Sequence, residues 1–297
     1  MSTSHLPFRD VPYLPLKLDI DRRPDSTIYL KNGQPLKPYP PHLLAPLVKW
    51  AEEAPDRIWL AERVPEDPQS EGWREVTYAE GLERVRRLAQ GFIDAGAGQD
   101  APVMILSKNA IDHALVMYAA MWAGSPVVPV TPAYALLSNV EDGAEYQRGL
   151  DGMGVGNRLV LYSRHEPKGC DSVNIGRFAK EPTPAVDAAY AALTPETVAK
   201  YMLTSGSTGE PKAVINLHGM VAANAKMIRS VWDEEKLEAI TGGPQVMCNF
   251  LPWSHTYGAH SILHNMLDWG GTLYLDQGAP TPARLPEMIR NLKEIPT

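Results

Sequence analysis

The chain has 297 residues, 44% of them apolar and 21% charged, which is enough to bury a large core and lies outside the composition of a disordered chain. A net charge of −7 argues against nucleic acid as a partner, because a phosphate backbone calls for a basic face. The two cysteines, Cys170 and Cys248, have no metal-ligand spacing and fit reduced thiols in a cytoplasmic protein, and no apolar run approaches the ~20 residues that span a bilayer.

The N-terminal stretch lacks the continuous apolar segment of a secretory signal. Residues 1–41 are rich in proline and polar residues and read as an arm over the surface, with a short strand at Thr27–Lys31 and a turn at Asn32-Gly33. A helix is expected from about Leu43 to Glu53, then a strand in "DRIWLAER". Thr77 and Glu80 form a T-x-x-E capping box, and Leu82, Val85, Leu88, Ala89 and Phe92 make one apolar stripe at helical spacing, closed by Gly96. "APVMILSKN" reads as a buried parallel strand, "AIDHALVMYAAMWAG" as a helix and "SPVVPV" as a further strand. This alternation predicts an α/β fold of mostly parallel sheets flanked by helices.

After "TPAYALLSN" the rhythm falters: residues 140–164 hold at most one short helix and a strand, Arg158–Ser163, and residues 165–198 read as a Pro-rich loop. Order returns with strands in "VAKYMLT" and "KAVINL" and a helix at about Met220–Trp232. "QVMCNFLP" reads as a buried strand, "AHSILHNMLDWG" as a helix, "GTLYLD" as a strand and Pro282–Lys293 as the last helix.

Between two of these strands lies "TSGSTGEPKAV", residues 204–214. Gly206 and Gly209 let backbone amides approach a ligand, Ser205, Ser207 and Thr208 supply hydroxyls, and Lys212, behind the stiff Pro211, supplies a cation. Successive amides in such a turn make an anion nest suited to a polyphosphate. A P-loop is excluded, because the Gly206-to-Lys212 spacing is wrong and a strand follows rather than a helix. A nucleophile elbow is excluded because Ser207 does not lie in G-x-S-x-G, which leaves an α/β-hydrolase resting only on the α/β pattern and the serine-rich loop.

"YMLTSGSTGEPKAV" resembles the phosphate-binding signature of the adenylate-forming (AMP-binding) superfamily, [ST]-[ST]-G-[ST]-T-G-x-P-K-G. Thr204, Ser205, Gly206, Ser207, Thr208, Gly209, Pro211 and Lys212 match, and Ala213 departs from the last glycine. "NFLPWSHTYGAHSILHNMLDWGGTLYLD" is similar to the segment that delivers L-P-x-x-H-x-x-G to the acyl pocket, with Leu251, Pro252, His255 and Gly258 matching. The upstream segments look like the acyl/aryl-CoA ligase branch, feruloyl-CoA synthetases in particular.

The resemblance implies an acid-thiol ligase that forms an acyl-adenylate from ATP and then a thioester with coenzyme A. Thr204, Ser205, Gly206, Ser207, Thr208, Gly209 and Lys212 would hold the phosphates, with Mg²⁺ bridging them and Thr208 assisting the metal. His255 and Lys212 would be the catalytic pair, and Trp253, His255, Tyr257 and Gly258 would bind an aromatic or fatty carboxylate. Aromatics after a buried strand are as often core as pocket, and His113, His260 and His264 read as structural; the i, i+4 pair His260/His264 has no third metal ligand.

The same resemblance sets expectations about what the chain lacks. Family members are about twice as long, and no T-E segment, Y-x-T-G-D segment, hinge or C-terminal lysine motif is present. By the same resemblance a helix and a buried strand are skipped near residues 139–140, and residues 42–297 read as part of an N-terminal domain that is inactive alone. The alternative is a non-catalytic relative acting as a weak nucleotide-binding or interaction module.

Overall fold

The structure is a computed structural model that describes residues 11–15, 17–63, 72–130, 147, 151–152, 156, 158–164, 166–205, 211–276, 278 and 281–295. Its strands and helices form two four-stranded sheets, two small ribbons and a set of covering helices.

The arm forms an antiparallel ribbon, β1 (Leu18–Arg22) with β2 (Ile28–Asn32), exposed along its length. The arm is tied down by an antiparallel bridge between Tyr13 and Trp232 and by the Asp233 amide donating to the Pro12 carbonyl at 2.8 Å. The helix α1 (Ala45–Glu53) and strands β3 (Ile58–Arg63) and β4 (Trp73–Thr77) follow. The helix α2 (Tyr78–Asp94) starts on the capping box read from the sequence, with the Glu80 amide donating to Thr77 Oγ1 at 3.2 Å and the Thr77 amide donating to Glu80 Oε2 at 3.1 Å. Val85, Leu88, Ala89 and Phe92 are buried and Leu82 is partly buried, so the stripe faces the core as its spacing requires.

Strand β5 (Val103–Leu106), helix α3 (Ile111–Trp122) and strand β6 (Val127–Val130) complete the alternating region. The strand β7 (Val160–Tyr162) pairs in parallel with β8 (Ser172–Asn174). Residues 165–198 are not one loop: they hold β8, α4 (Ile175–Phe178) and α5 (Pro184–Ala191). The signals were local and polar: Asn174 and Thr183 each cap a helix, and Pro184 sits at the first helical position, where its missing amide costs nothing. The junction near residues 139–140 lies outside the described residues.

Strands β9 (Val198–Ser205) and β10 (Pro211–Leu217), helices α6 (His218–Arg229) and α7 (Glu234–Thr241), and strand β11 (Val246–Asn249) come next. A π-helix (Tyr257–His264) runs directly into α8 (Asn265–Trp269), which Gly270 ends with φ +69°. Strand β12 (Thr272–Leu275) and helix α9 (Leu285–Glu294) close the described chain.

One sheet has the order β10-β9-β6-β5 and the other β11-β12-β3-β4. Five of the strand pairings are parallel and three antiparallel, so the sheets are mixed but mostly parallel, as the alternation predicts. Helix α3 touches strands of both sheets, and the rings of Trp59, Tyr78 and Tyr118 stack between α2, α3 and β3. Two strands read as buried are only partly so: Met104 in β5 and Val246 in β11 are exposed while Ile105 is in the core, and among the described residues both strands lie at sheet edges. A polar stitch joins β3, β4 and α3. Arg74 reaches Glu62 Oε1 at 2.9 Å and Asp112 Oδ1 at 2.7 Å, and Glu62 Oε2 accepts the Ile111 amide at 3.0 Å.

Candidate functional site

Strands β9 and β10 form an antiparallel hairpin with Ser205 opposite Pro211 and Thr204 opposite Lys212. Gly206, Ser207, Thr208 and Gly209 lie outside the described residues, so the structure defines the two posts that carry them. Thr204 Oγ1 donates to the Lys212 carbonyl at 3.3 Å, a clamp across the base of the turn. Lys212 is exposed, and β10 beyond it presents Val214 and Ile215 to solvent as an edge strand.

The second segment is built around Asn109, in the turn between β5 and α3. Its Nδ2 donates to the Leu251 carbonyl at 2.9 Å, and its Oδ1 accepts the Trp253 amide at 3.0 Å. This pair of bonds pins both sides of Leu251-Pro252. The chain then turns at once into the π-helix, which starts with the Ala259 amide donating to the His255 carbonyl at 3.0 Å. The close approach needs Gly258: a Cβ there would lie 2.3 Å from the Pro252 carbonyl oxygen and 2.7 Å from that of Leu251. A π-helix is rare and most often marks a functional site.

The candidate residues of this segment separate into two groups. His255 and Tyr257 are exposed, Tyr257 at 64%. Trp253 is 1% exposed and packs edge-on against His113, so it stands in the core. Among the described residues, no group of His, Cys, Asp or Glu can hold a metal ion, the pair His260/His264 included.

Behind the two segments lies a polar chain the sequence reading passed over. Lys200 in β9 has no exposed surface, and its Nζ lies 2.7 Å from His264 Nε2. His264 Nδ1 in turn lies 2.7 Å from the Tyr118 hydroxyl. Among the described residues no carboxylate pairs with Lys200, and burial pushes its ammonium down to about 7. Burial, reinforced by Lys200, likewise lowers His260 to about 3 and holds His264 well below its ordinary value. The signal was readable as a single lysine inside the apolar strand "VAKYML", on the same side as buried Met202.

The sequence matches the AMP-binding enzyme family over residues 47–138 and 154–294, well over half of the chain. The chain belongs to the AMP-binding enzyme family. The match is interrupted at residues 139–153, where the alternating rhythm falters. Among curated relatives, a 4-chlorobenzoate–CoA ligase of Arthrobacter sp is 25% identical over 79% of this chain and 45% of its own. Nonribosomal peptide synthetase 32 of Fusarium pseudograminearum (strain CS3096) is 28% identical over 67% of this chain and 2% of its own. Among solved structures, the N-terminal subdomain of Klebsiella oxytoca NpsA in complex with 3-hydroxybenzoyl-AMSN superposes with a TM-score of 0.57 at 21% identity, over 85% of this chain and 58% of that one. A fatty acid AMP ligase from Legionella pneumophila gives 0.58 at 16% identity, over 86% and 42%. These likenesses establish the fold, that of the N-terminal part of an adenylate-forming enzyme. This AMP-binding chain thus spans less than half the length of the curated relatives described here.

Proposed function

We propose that this AMP-binding chain takes part in ATP-dependent activation of an aromatic or other small carboxylic acid, ending in a coenzyme A thioester. The observation that carries the reading is the hairpin β9–β10, whose paired ends Thr204 and Lys212 bracket S-G-S-T-G-E-P. Amides and hydroxyls of that turn would neutralise the β- and γ-phosphates together with Lys212, and Thr208 would help hold a Mg²⁺ that would supply further charge neutralisation there.

The carboxylate oxygen attacks the α-phosphorus, a new O–P bond forms, and the bond to the leaving pyrophosphate breaks. The thiol of coenzyme A then attacks the acyl carbon, a C–S bond forms, AMP departs with the former bond's electrons, and the thiol proton passes to solvent. His255, exposed at the mouth of the segment pinned by Asn109, would orient the incoming carboxylate, with Tyr257 beside it and Gly258 giving the backbone approach. Buried Trp253 would act on the pocket from behind, through the backbone it anchors.

The 4-chlorobenzoate–CoA ligase and the aryl-AMSN complex of NpsA support an aryl acid, and the resemblance to feruloyl-CoA synthetases favours a hydroxycinnamic one. The peptide-synthetase relatives favour a second reading, in which the adenylate passes to a carrier-bound thiol. We also take residues 1–41 as an arm on residues 42–297, which form part of an AMP-binding N-terminal domain. Pyrophosphate release with ATP, Mg²⁺ and a panel of cinnamic and benzoic acids tests activation, and calorimetric ATP titration with Lys212→Ala as control tests the phosphate site. ATP binding that Lys212→Ala weakens at least about tenfold supports the reading; absence of ATP binding by the unaltered chain refutes it.

A further inference from the structure

Three features unite at Lys200. Strands β6 and β9 share one ladder pair, Val127 with Lys200, so the sheet is held there by little backbone bonding. Four residues further on, β9 reaches Thr204 and the phosphate turn. The Lys200 side chain, meanwhile, leaves the sheet and meets His264, the last residue of the π-helix that begins two residues after His255.

We infer that Lys200, through His264 and Tyr118, is a positioning residue that fixes the phosphate-turn hairpin relative to the acid-binding segment. The part of this inference that concerns ATP rests on the proposed function. A neutral imidazole has one donor and one acceptor nitrogen, so the chain must be polarised one way or the other. If Lys200 donates to Nε2, then Nδ1–H donates to the Tyr118 oxygen. If Tyr118 donates to Nδ1, then Nε2–H donates to the lone pair of an uncharged Lys200. An uncharged lysine fits either arrangement and a charged one only the first, so gain of a proton at Lys200 fixes the Tyr118 bond in the direction Nδ1–H to oxygen.

The groups facing this chain are mostly uncharged partners. His260 lies one turn back on the π-helix, its ring 6.0 Å from that of His264. His218 on α6 and His42 ahead of α1 have rings 6.1 Å apart, and His113 stands on α3. Asp268 on α8 is already held by Lys226 at 2.8 Å and Arg229 at 3.1 Å. Among the described residues no neighbour therefore offers Lys200 a counter-charge, and the imidazole of His264 is its hydrogen-bond partner.

Hydrogen exchange read by mass spectrometry on the full chain, with Lys200→Met as the variant, tests the brace without any ligand. Exchange in residues 201–216 and in residues 253–264 should both accelerate about fivefold or more, while α2, residues 78–94, stays as it was. In the unaltered chain the protection of those two segments should also change between about pH 6 and pH 8, after correction for intrinsic rates, and Lys200→Met should abolish that change. Should Lys200→Met fail to fold, Tyr118→Phe removes one hydroxyl and should loosen the same two segments, whereas His264→Gln, which keeps a donor and an acceptor, should retain protection there. Acceleration confined to β9, or spread evenly over α2 as well, would overturn the inference. In parallel, Lys200→Met should weaken ATP binding about tenfold with Lys212 in place; an unchanged affinity overturns the coupling to the phosphate turn. Failure of the unaltered chain to bind ATP counts against the proposed function, and the exchange pattern then decides the brace by itself.

Discussion

Replacing Gly258 by alanine adds one methyl group at the point where the π-helix meets the Leu251-Pro252 backbone. That Cβ would lie 2.3 Å from one carbonyl oxygen and 2.7 Å from another, and both obstacles are backbone rather than movable side chains. An ordinary contact is about 3.4 Å or more, so one segment must shift by about 1 Å, and overpacking of this kind costs about 1–3 kcal/mol. Against it stands the ordinary gain from Gly→Ala in a helix, about 0.5–1 kcal/mol. The net expectation is a loss of about 1–2 kcal/mol. With an unfolding entropy of ~2.1 cal/mol/K per residue, that lowers the Tm by about 2–3 °C. Differential scanning calorimetry reads the shift, and Gly98→Ala, where a Cβ meets nothing within 4 Å, is the control expected to leave the Tm unchanged or raised. A Gly258→Ala protein as stable as the unaltered chain would refute the claim that this glycine sets the approach of the acid-binding segment.

Three further outcomes follow from buried charge. Burial lowers His113 to about 4 and His218 and His260 to about 3, below the ~6.5 of an unfolded chain. Their contribution is therefore full above pH ~6.5 and is lost as pH falls, at about 2 kcal/mol per group by pH 5. Three such groups match a marginal domain's whole stability, so urea melts should show unfolding setting in near about pH 5. Lys200, at about 7 in the fold, has the same sign at higher pH: stability should rise from about pH 7 towards pH 10, and Lys200→Met should flatten that rise. Arg74→Met removes one of two guanidinium groups on Glu62 and the ion-pair partner of Asp112, while Arg164 and the Ile111 amide still hold Glu62 and the Ser163 hydroxyl still holds Asp112; with those partners left and the Arg74 side chain 33% exposed, we expect a cost of about 2 kcal/mol rather than the full buried-pair figure. A double-mutant cycle with Glu62→Gln should recover part of it, and strict additivity would show that the pair is not coupled.

The sequence carried most of what depends on local pattern. The capping box at Thr77, the stripe along α2 and the strands flanking the phosphate turn each announce themselves within a few residues. It also carried the family, because Thr204 to Lys212 and Leu251 to Gly258 are contiguous motifs. What it did not carry was set by distant neighbours. Met104 reads as core and is exposed because, among the described residues, β5 has a partner on one side, a fact of sheet order. Trp253 reads equally as pocket or core, and only its packing on His113 places it. The antiparallel turn of β9 into β10 departs from the parallel rhythm, because a five-residue connection is too short for a crossover. Lys200 was visible as an oddity in its strand, but its partners His264 and Tyr118 come from elements 64 and 82 residues away on either side.

The order β11-β12-β3-β4 has a kinetic consequence. Strand β3 is interior, yet its neighbour on one side, β12, comes about 200 residues later in the chain. During synthesis, at about 5–20 residues per second, β3 and β4 emerge first as a two-stranded ribbon and must wait 10 seconds or more with one apolar edge open. Leu60 and Ala61, with no exposed surface in the folded protein, are uncovered for that interval. Assembly should therefore be slow and concentration-sensitive, with yield set by what shields that edge before β12 arrives.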